Sequence, residues 1–370
     1  MANHEIWLTT DTGSRIANLS DNLGGYFARV ANKRAPFMLR MPGRFKWQKL
    51  LAPDRMIQFW RQPQGRTMSL WRAYFIGAWE PATDAEGETV ITVYGYDALD
   101  LLHRRVLAVH VKATDAVATA VEADDLMKDI VGLCMSDAVA PTPDAGTRAW
   151  SLLSVQGDLT AGPQLTRQFA WGQLDEEVAE IAQAAKAAGT EVFFDIVESN
   201  ITATTIAFEF RTKTGQPGQD LSSRVVFSQE NKSLLEPSLL IDYRDEINYV
   251  YAVGQGEGAG TEVQQVYDAT LYGASVWSRR EGYAYAGSED TANGVREVGR
   301  AMLAVGRPDR TFSAKTMDGD GTRFGRDWNW GDKVRAKAFG YEFDCIVRKT
   351  VIYIDQDGAE RIDARLEYED

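Results

Sequence analysis

One stretch, residues 71–106, constrains the fold most, because it predicts a strand, a turn, a second strand and a short helix in succession. Trp71–Trp79 is rich in aromatic residues that favour strands, and Pro81–Gly87 is a polar, acidic loop. Thr89–Tyr96 alternates between two faces, as a returning strand does. Asp97 is then the predicted N-cap of a short helix that ends in basic residues. The unit predicts a hairpin with an acidic tip.

Further strands surround this hairpin in residues 5–110. Their alternation and their glycine and proline turns favour a small barrel or sandwich. The predicted strands are Glu5–Thr9, Tyr26–Ala31, Ala35–Met41 and Asp54–Arg61.

The hydrophobic period changes from about residue 108 onwards. Ala123–Cys134 and Leu174–Ala185 place apolar residues at helical spacing, and Gly189 suits a helix C-terminus. Pro141–Gly162 is predicted to be an irregular surface loop. Strands at 191–197, 201–211 and 225–228 complete an α+β module at about 108–238.

The remaining residues return to β structure. Asn248–Val253 and Val263–Leu271 are predicted to pair across the glycine loop Gly254–Gly260, and 289–305 is helical in pattern. Strands are predicted at 311–315, 333–339, 341–354 and 362–368, with Asp355–Gly358 as a hairpin turn. No residue-level repeat relates this part to the first.

Two motifs resemble known ligand-binding loops, but neither of them predicts catalysis or ligand binding. Gly254, Gly256, Gly258 and Gly260 precede a strand rather than the helix that a dinucleotide loop needs. Asp318 and Asp320 begin like a calcium loop, but its twelfth position is Asn329 and not glutamate. We predict no catalytic, cofactor-binding or metal residues.

The histidines, cysteines and tryptophans are likewise predicted to have structural rather than chemical roles. The three histidines, His4, His103 and His110, lack a serine or cysteine motif nearby, so a catalytic His103 is the weaker interpretation. Cys134 and Cys345 are predicted to be small buried side chains. Trp60, Trp71 and Trp79 lie on predicted strands, where packing explains them better than sugar binding.

Net charge and the absence of targeting signals bound the location and partners. The 370 residues carry a formal charge of −13, which argues against a surface that grips nucleic acid. The same charge would let DNA slide past by repulsion, although a merely soluble surface explains it equally well. No apolar run long enough to span a membrane and no signal peptide is present, so we expect synthesis in a cytoplasm.

Several segments in this order resemble siphophage tail hub proteins. Four of them look like the amino-terminal barrel of that family, namely Asp54–Arg61, Phe75–Gly77, Thr89–Asp97 and Leu101–Arg105. Later matches are Ala123–Lys128, 174–197, Val225–Ser228, Asn248–Gly254, Trp277–Glu281 and Trp330–Val334. The resemblance covers nearly the whole chain and consists of strands and turns rather than a catalytic signature.

The resemblance implies a β-rich α+β protein in which two tube-like β-barrel domains alternate with α+β domains. Residues 1–107 would form the first barrel, 108–238 an α+β domain, and 239–370 the second barrel with an α+β insertion around 260–310. Baseplate hubs of this kind are similar to contractile-tail hubs and type VI spike bases, and they form homotrimers. Many relatives continue into a peptidase or a fibre-like tail, and this chain, which ends at Asp370, is expected to lack the lytic activity carried there.

The implied function is that of a structural virion protein at the phage tail tip, made in the host cytoplasm. It would connect the hexameric tail tube to a threefold tail tip and form part of the DNA ejection channel, with no enzymatic activity and no cofactor. Expected partners are the distal tail protein, the tail tube protein, the tape measure protein and other tail-tip or fibre proteins. DNA would pass without specific binding.

Two other classes of function stay open on the sequence. One is a carbohydrate-active or peptidoglycan-active tail enzyme, which predicts a concave site with converging carboxylates or tryptophans. The other is a sugar-binding tail module, which predicts an aromatic platform on the surface.

Overall fold

A computed structural model describes residues 3–83, 87–107, 117–136, 148–169, 171–256, 260–287, 291–317 and 319–368. The strands in these ranges are β1 (Asn3–Thr9), β2 (Arg15–Asn18), β3 (Gly25–Val30), β4 (Pro36–Pro42), β5 (Met56–Gln62), β6 (Ser69–Thr83), β7 (Thr89–Asp97), β8 (Val106–Leu107), β9 (Val117–Glu122), β10 (Leu153–Val155), β11 (Gln164–Gln168), β12 (Gly172–Gln173), β13 (Val192–Ser199), β14 (Ala207–Thr214), β15 (Val226–Ser228), β16 (Leu234–Asp242), β17 (Tyr249–Val253), β18 (Val263–Tyr267), β19 (Glu281–Tyr285), β20 (Asp309–Thr316), β21 (Lys333–Ala338), β22 (Tyr341–Ile354) and β23 (Glu360–Tyr368). The helices are α1 (Phe45–Leu50), α2 (Asp100–His103), α3 (Ala123–Val131), α4 (Leu174–Ala187), α5 (Ala269–Tyr272) and α6 (Ala292–Val305).

The chain divides into two compact units. The first comprises Met1–Lys186, Thr190–Pro237 and Ser313–Asp370, and the second comprises Ala187–Gly189 and Ser238–Phe312. Strands β16 and β20 carry the chain out of the first unit and back into it. None of the helices in the described ranges combines the length and the apolar character needed to cross a membrane.

The largest sheet has 13 strands and draws on both ends of the sequence. Its order is β16-β20-β23-β22-β3-β4-β7-β6-β5-β1-β2, with β21 paired to β22 and β15 to β21. The order is open at β16 and β2, so the described strands of one chain do not close into barrels. The β-rich α+β class is therefore confirmed, whereas closure into two barrels within the chain is not.

The pairing of β3 with β22 joins the early strands to the late ones. It is antiparallel and matches Gly25 with Ile354 and Val30 with Lys349. Rings from the early strands pack beneath it, with Phe27 stacked on Phe59 at 4.4 Å between ring centroids. The hydroxyl of Tyr74 donates to the carbonyl of Ala28 at 2.6 Å, which satisfies a polar group inside this core.

The hairpin predicted in residues 71–106 is confirmed as β6 and β7. A bulge at Gly77 shifts the register between Ile76 and Ala78, so two residues of β6 oppose Gly95. Strand β6 continues to Thr83, well into the predicted loop Pro81–Gly87, and residues 84–86 of that loop lie outside the described residues. The predicted helix follows as α2.

The capping role predicted for Asp97 is wrong. Helix α2 begins at Asp100 with Leu99 at the N-cap position, and no side chain caps it. Asp97 is instead the last residue of β7, and its carboxylate accepts hydrogen bonds from Arg72 and from the Ala35 amide. The carboxylate of Asp97 binds the buried guanidinium of Arg72 instead of capping the helix. Spacing in the sequence does not reveal such a partner.

The α+β part packs on the early strands through one continuous core. Helices α3 and α4 bury their apolar stripes, as predicted, against the sheet of β10, β14 and β13. The same core contains Met56 and Phe75 from β5 and β6. Strand β14 begins only at Ala207, not at Ile201, and β10 occupies part of the predicted loop Pro141–Gly162. Residues 141–147 of that loop lie outside the described residues.

The second unit is a three-stranded sheet covered on one face by α6. Strand β17 pairs antiparallel with β18, as predicted, and parallel with β19, a strand that was not predicted. The strand predicted to reach Leu271 ends at Tyr267, because Asp268 accepts hydrogen bonds from the amides of Thr270 and Leu271 and starts the short helix α5. Val295 of α6 packs with Val250 and Ala252 of β17 in the core of this unit.

Candidate functional site

The motifs considered in the sequence take ordinary structural roles where they are described. The Nδ1 atom of His103 lies 2.9 Å from the Asp175 carboxylate on the surface. Asp320 pairs with Arg323, and Gly254 precedes β18 rather than a helix. His110, Gly258 and Asp318 lie outside the described residues. Within the described ranges, no group of three or more His, Cys, Asp or Glu side chains is arranged to hold a metal.

Cysteine and tryptophan positions agree with the packing predictions. Cys134 and Cys345 are both buried. Trp60 and Trp71 are partly buried on β5 and β6, where Trp60 donates to the Gln58 side chain at 3.0 Å and Trp71 meets Phe59 edge-on at 5.8 Å. Trp79 is also partly buried. These tryptophans therefore do not form an exposed sugar platform.

A buried charge network lies inside the first unit. Arg72, whose side chain is 1% exposed, contacts Asp97 at 2.7 Å, Asp195 at 2.5 Å and Glu198 at 3.8 Å. Arg29 adds a second cation at 2.8 Å from Asp195. Two guanidinium groups thus face three carboxylates that come from β7 and β13. The network ties the early strands to the α+β part.

The unequal sharing of cations separates the pKa values of the two aspartates. Burial raises the pKa of Asp97 to about 6, and Arg72 offsets this only in part. Burial also opposes ionisation of Asp195, but Arg72 and Arg29 together outweigh it and lower the pKa of that carboxyl. Asp97 is therefore the member of the network that takes up a proton in mild acid.

Replacing Asp97 with asparagine should change how stability depends on pH. The native pKa of about 6 lies above the usual unfolded value, so the folded state binds the extra proton between about pH 4 and pH 6. The contribution of Asp97 to stability consequently falls as pH rises through this window. Relative to wild type, Asp97→Asn should gain up to about 1.4 kcal/mol per pH unit there and nothing above pH 7. Urea unfolding across this range measures it, and parallel curves for the two proteins would contradict it.

A cationic cleft interrupts the acidic character of the first unit. It has a volume of about 240 Å³ and lies where α4 approaches β3 and β22. Its lining contains five cationic residues, Lys33, Lys186, Arg348, Lys349 and Arg365. Glu191 also lines it, and Arg348 holds both of its carboxylate oxygens. The surface of this acidic chain is therefore not uniformly repulsive to anions.

The second unit carries the most unusual surface, which we call the tyrosine face. Side chains alternate along a strand, so every second residue of β17, β18 and β19 points away from α6. These residues are Tyr249, Tyr251, Val253, Val263, Gln265, Tyr267, Glu281, Tyr283 and Tyr285. The register places Tyr251 between Gln265 and Tyr283.

One corner of the tyrosine face is held rigid by contacts among its rings. Tyr249 stacks on Tyr267 with 5.3 Å between centroids, and Tyr272 of α5 lies 5.6 Å from each. The guanidinium of Arg279 lies 3.9 Å from the centre of the Tyr249 ring and donates to the Tyr251 hydroxyl at 2.6 Å. Cation–π contact and hydrogen bonding thus fix the rings before any ligand arrives.

The opposite edge of the tyrosine face is open. Tyr283 and Tyr285 on β19 are 63% and 66% exposed. Exposed aromatic groups on this scale mark interaction sites more often than chance exposure does. The arrangement offers ring faces for stacking, and hydroxyl and amide groups for hydrogen bonds.

This surface was not predicted from the sequence, because β19 was not among the predicted strands. The signal was present in the alternation of Tyr249 with Tyr251 and of Tyr283 with Tyr285. Nothing in either segment shows which strand lies beside which, and that pairing alone brings the tyrosines together.

Comparison with known protein families shows which family this chain is related to. The profile of the Siphovirus ReqiPepy6 Gp37-like proteins matches residues 4–366. The chain belongs to this siphovirus family. The resemblance predicted from the sequence is confirmed at the level of the family. A search of curated proteins found no match to this family member.

Solved structures show the same fold. The 43 kDa tail protein of prophage MuSo2 from Shewanella oneidensis is similar with a TM-score of 0.60 and 12% identity, over 99% of this chain and 98% of that one. A tail protein from Neisseria meningitidis MC58 also gives 0.60, with 10% identity over 99% and 97%. Prophage tail protein gp18 from Listeria monocytogenes EGD-e gives 0.55, with 9% identity over 99% and 94%. This family member therefore has the fold of phage tail proteins.

Proposed function

We propose that the chain is a structural protein of a siphophage tail, acting as the hub at the tail tip. Three copies would form a ring that connects the hexameric tail tube to a threefold tail tip. The observation that carries this proposal is the fold match to phage tail proteins over 99% of the chain, together with the siphovirus family assignment. No enzymatic step is part of this role.

The strand order supports a ring of copies. Within one chain, early strands β1–β7 and late strands β20–β23 lie in one sheet through β3 and β22. Two strand groups per chain in three chains would supply six groups around the axis, which matches a sixfold tube. The order ends at β2 and β16, and neighbouring copies would pair or cover these edges. Tube-like barrels would then be completed by assembly.

The domain plan remains part of the proposal. Residues 1–107 and 239–370 would provide the two tube-like regions, and 108–238 with the insertion around 260–310 would provide the α+β regions. The distal tail protein, tail tube protein, tape measure protein and tail-tip or fibre proteins would contact this ring in the virion, after synthesis in the host cytoplasm.

The negative net charge of the chain supports a channel through which DNA passes without being bound. Each copy carries −13, so three copies carry −39 formal charges. Acidic side chains facing a central channel would repel phosphates and keep the moving genome from adhering. The cationic cleft, in contrast, would suit an acidic group on a neighbouring tail protein.

The proposal predicts the mass and symmetry of the purified protein. Mixed with its tail tube protein, the chain should scatter light as an assembly containing three copies of 41.1 kDa, and negative-stain images should show a threefold ring with a central opening. Single copies with no ring under these conditions would contradict the hub. Release of soluble fragments from cell-wall polysaccharide by the purified chain would contradict a purely structural role.

A further inference from the structure

We propose that the tyrosine face binds a neutral oligosaccharide. This inference goes beyond the hub function and does not depend on it, because it rests on the second unit alone. The face is one side of a sheet, and α6 packs on the other side. An open aromatic surface suits an extended chain of sugar rings better than a compact molecule, which needs a concave pocket.

The composition of the face matches the chemistry of a sugar. Five of its nine strand positions are tyrosine, two are valine, and none is leucine, isoleucine, methionine or phenylalanine. A pyranose presents C–H groups on its faces and hydroxyls at its rim. Phenol rings match both, because each has an apolar face and a hydroxyl that donates and accepts.

The charges of the face favour a ligand without charge. Arg279 lies 2.6 Å from Glu281, so the cation and the anion at this surface neutralise each other. The remaining strand positions of the face are uncharged. A polyanionic glycan would find no net attraction here and would be repelled by a chain of −13.

Rigidity is the third argument. The contact of one ring with a sugar contributes little binding free energy. Several such contacts give useful affinity only if the rings are already ordered before the sugar binds, because ordering them on binding costs entropy. Tyr249, Tyr267 and Tyr272 are packed together, and the Tyr249 hydroxyl donates to Gln265 at 2.7 Å. Beside this fixed corner, Tyr283 and Tyr285 leave most of their surface open for the ligand.

The test uses the full chain and three defined neutral probes: cellopentaose, maltopentaose and chitopentaose. Saturation-transfer NMR identifies the probe that binds, and calorimetry measures its affinity at concentrations up to about 10 mM. In the double variant Tyr283→Ala and Tyr285→Ala, affinity should fall by about tenfold or more, since two stacking contacts are lost. Tyr283→Phe with Tyr285→Phe keeps the rings, so its loss should be smaller.

The control is Trp171→Ala, which removes a tryptophan that is 62% exposed but belongs to the first unit. This variant should bind the probe like wild type. No binding of any probe at about 10 mM would overturn the proposal. So would equal binding by the double alanine variant.

Sedimentation of the same proteins measures the size of their assemblies and tests whether a second copy of the chain, rather than a saccharide, covers the face. If the double alanine variant forms smaller assemblies than wild type and no probe binds, a second copy covers the face and the saccharide proposal is wrong. Failure of the chain to form a threefold ring would bear on the hub and not on this test, since oligosaccharide binding is measured whatever the state of assembly.

Discussion

Replacing Arg72 with methionine should lower the free energy of unfolding by about 3–5 kcal/mol, because it leaves buried carboxylates without their central cation. Asp97, Asp195 and Glu198 all contact this guanidinium. Asp195 keeps Arg29, so Asp97 carries most of the loss. Methionine fills a similar volume, which separates the loss of charge from the loss of packing. Urea unfolding at pH 7 measures the effect.

Arg211→Met is the matched control for this experiment. Arg211 is an exposed strand residue that pairs with Glu209, and exposed pairs are worth about 0–1 kcal/mol. If both methionine variants lose the same small amount, the Arg72 network contributes no more than a surface ion pair. A loss at Arg72 that shrinks in mild acid would further support the network, since Asp97 is then protonated.

Gly95→Ala should cost about 3 kcal/mol, or prevent folding at 37 °C. A Cβ atom at this position would lie 1.9 Å from the Phe75 carbonyl oxygen and 2.8 Å from a ring carbon of Phe37. The oxygen belongs to the backbone of β6, so relief requires the two strands to separate at the bulge. Thermal unfolding followed by circular dichroism measures the change.

Gly77→Ala serves as the control, because it adds the same methyl group on the other side of the same bulge. Its nearest neighbours would lie at 3.7 and 3.8 Å, which is ordinary contact. We expect a change within about 1 kcal/mol. Equal destabilisation by the two substitutions would show that strand propensity, and not the close approach at Gly95, sets the cost.

Many of the strands and helices could be predicted from the local pattern of apolar and polar residues. Strand-favouring residues and alternation predicted β5, β7 and β17, and helical spacing predicted α3, α4 and α6. The errors lie where a side chain or a turn overrides the pattern. Asp268 ends β18 by capping α5, and β14 begins six residues later than expected.

Long-range pairing could not be predicted in the same way. The sequence of β3 does not indicate that its neighbour is β22, and Arg72 gives no sign of Asp195. The tyrosine face could not be predicted for the same reason, since it forms only when β19 lies beside β17. Alternation shows that a strand has two faces but leaves its neighbours undetermined.

The pairing of β3 with β22 also sets the order of events during synthesis. Residues 25–30 leave the ribosome about 320 residues before their partners at 349–354. At the usual rates of translation, one edge of β3 waits roughly 16 to 64 seconds for its native neighbour. The first strands to be made are therefore among the last to be completed, and the nascent chain must keep that edge from pairing elsewhere.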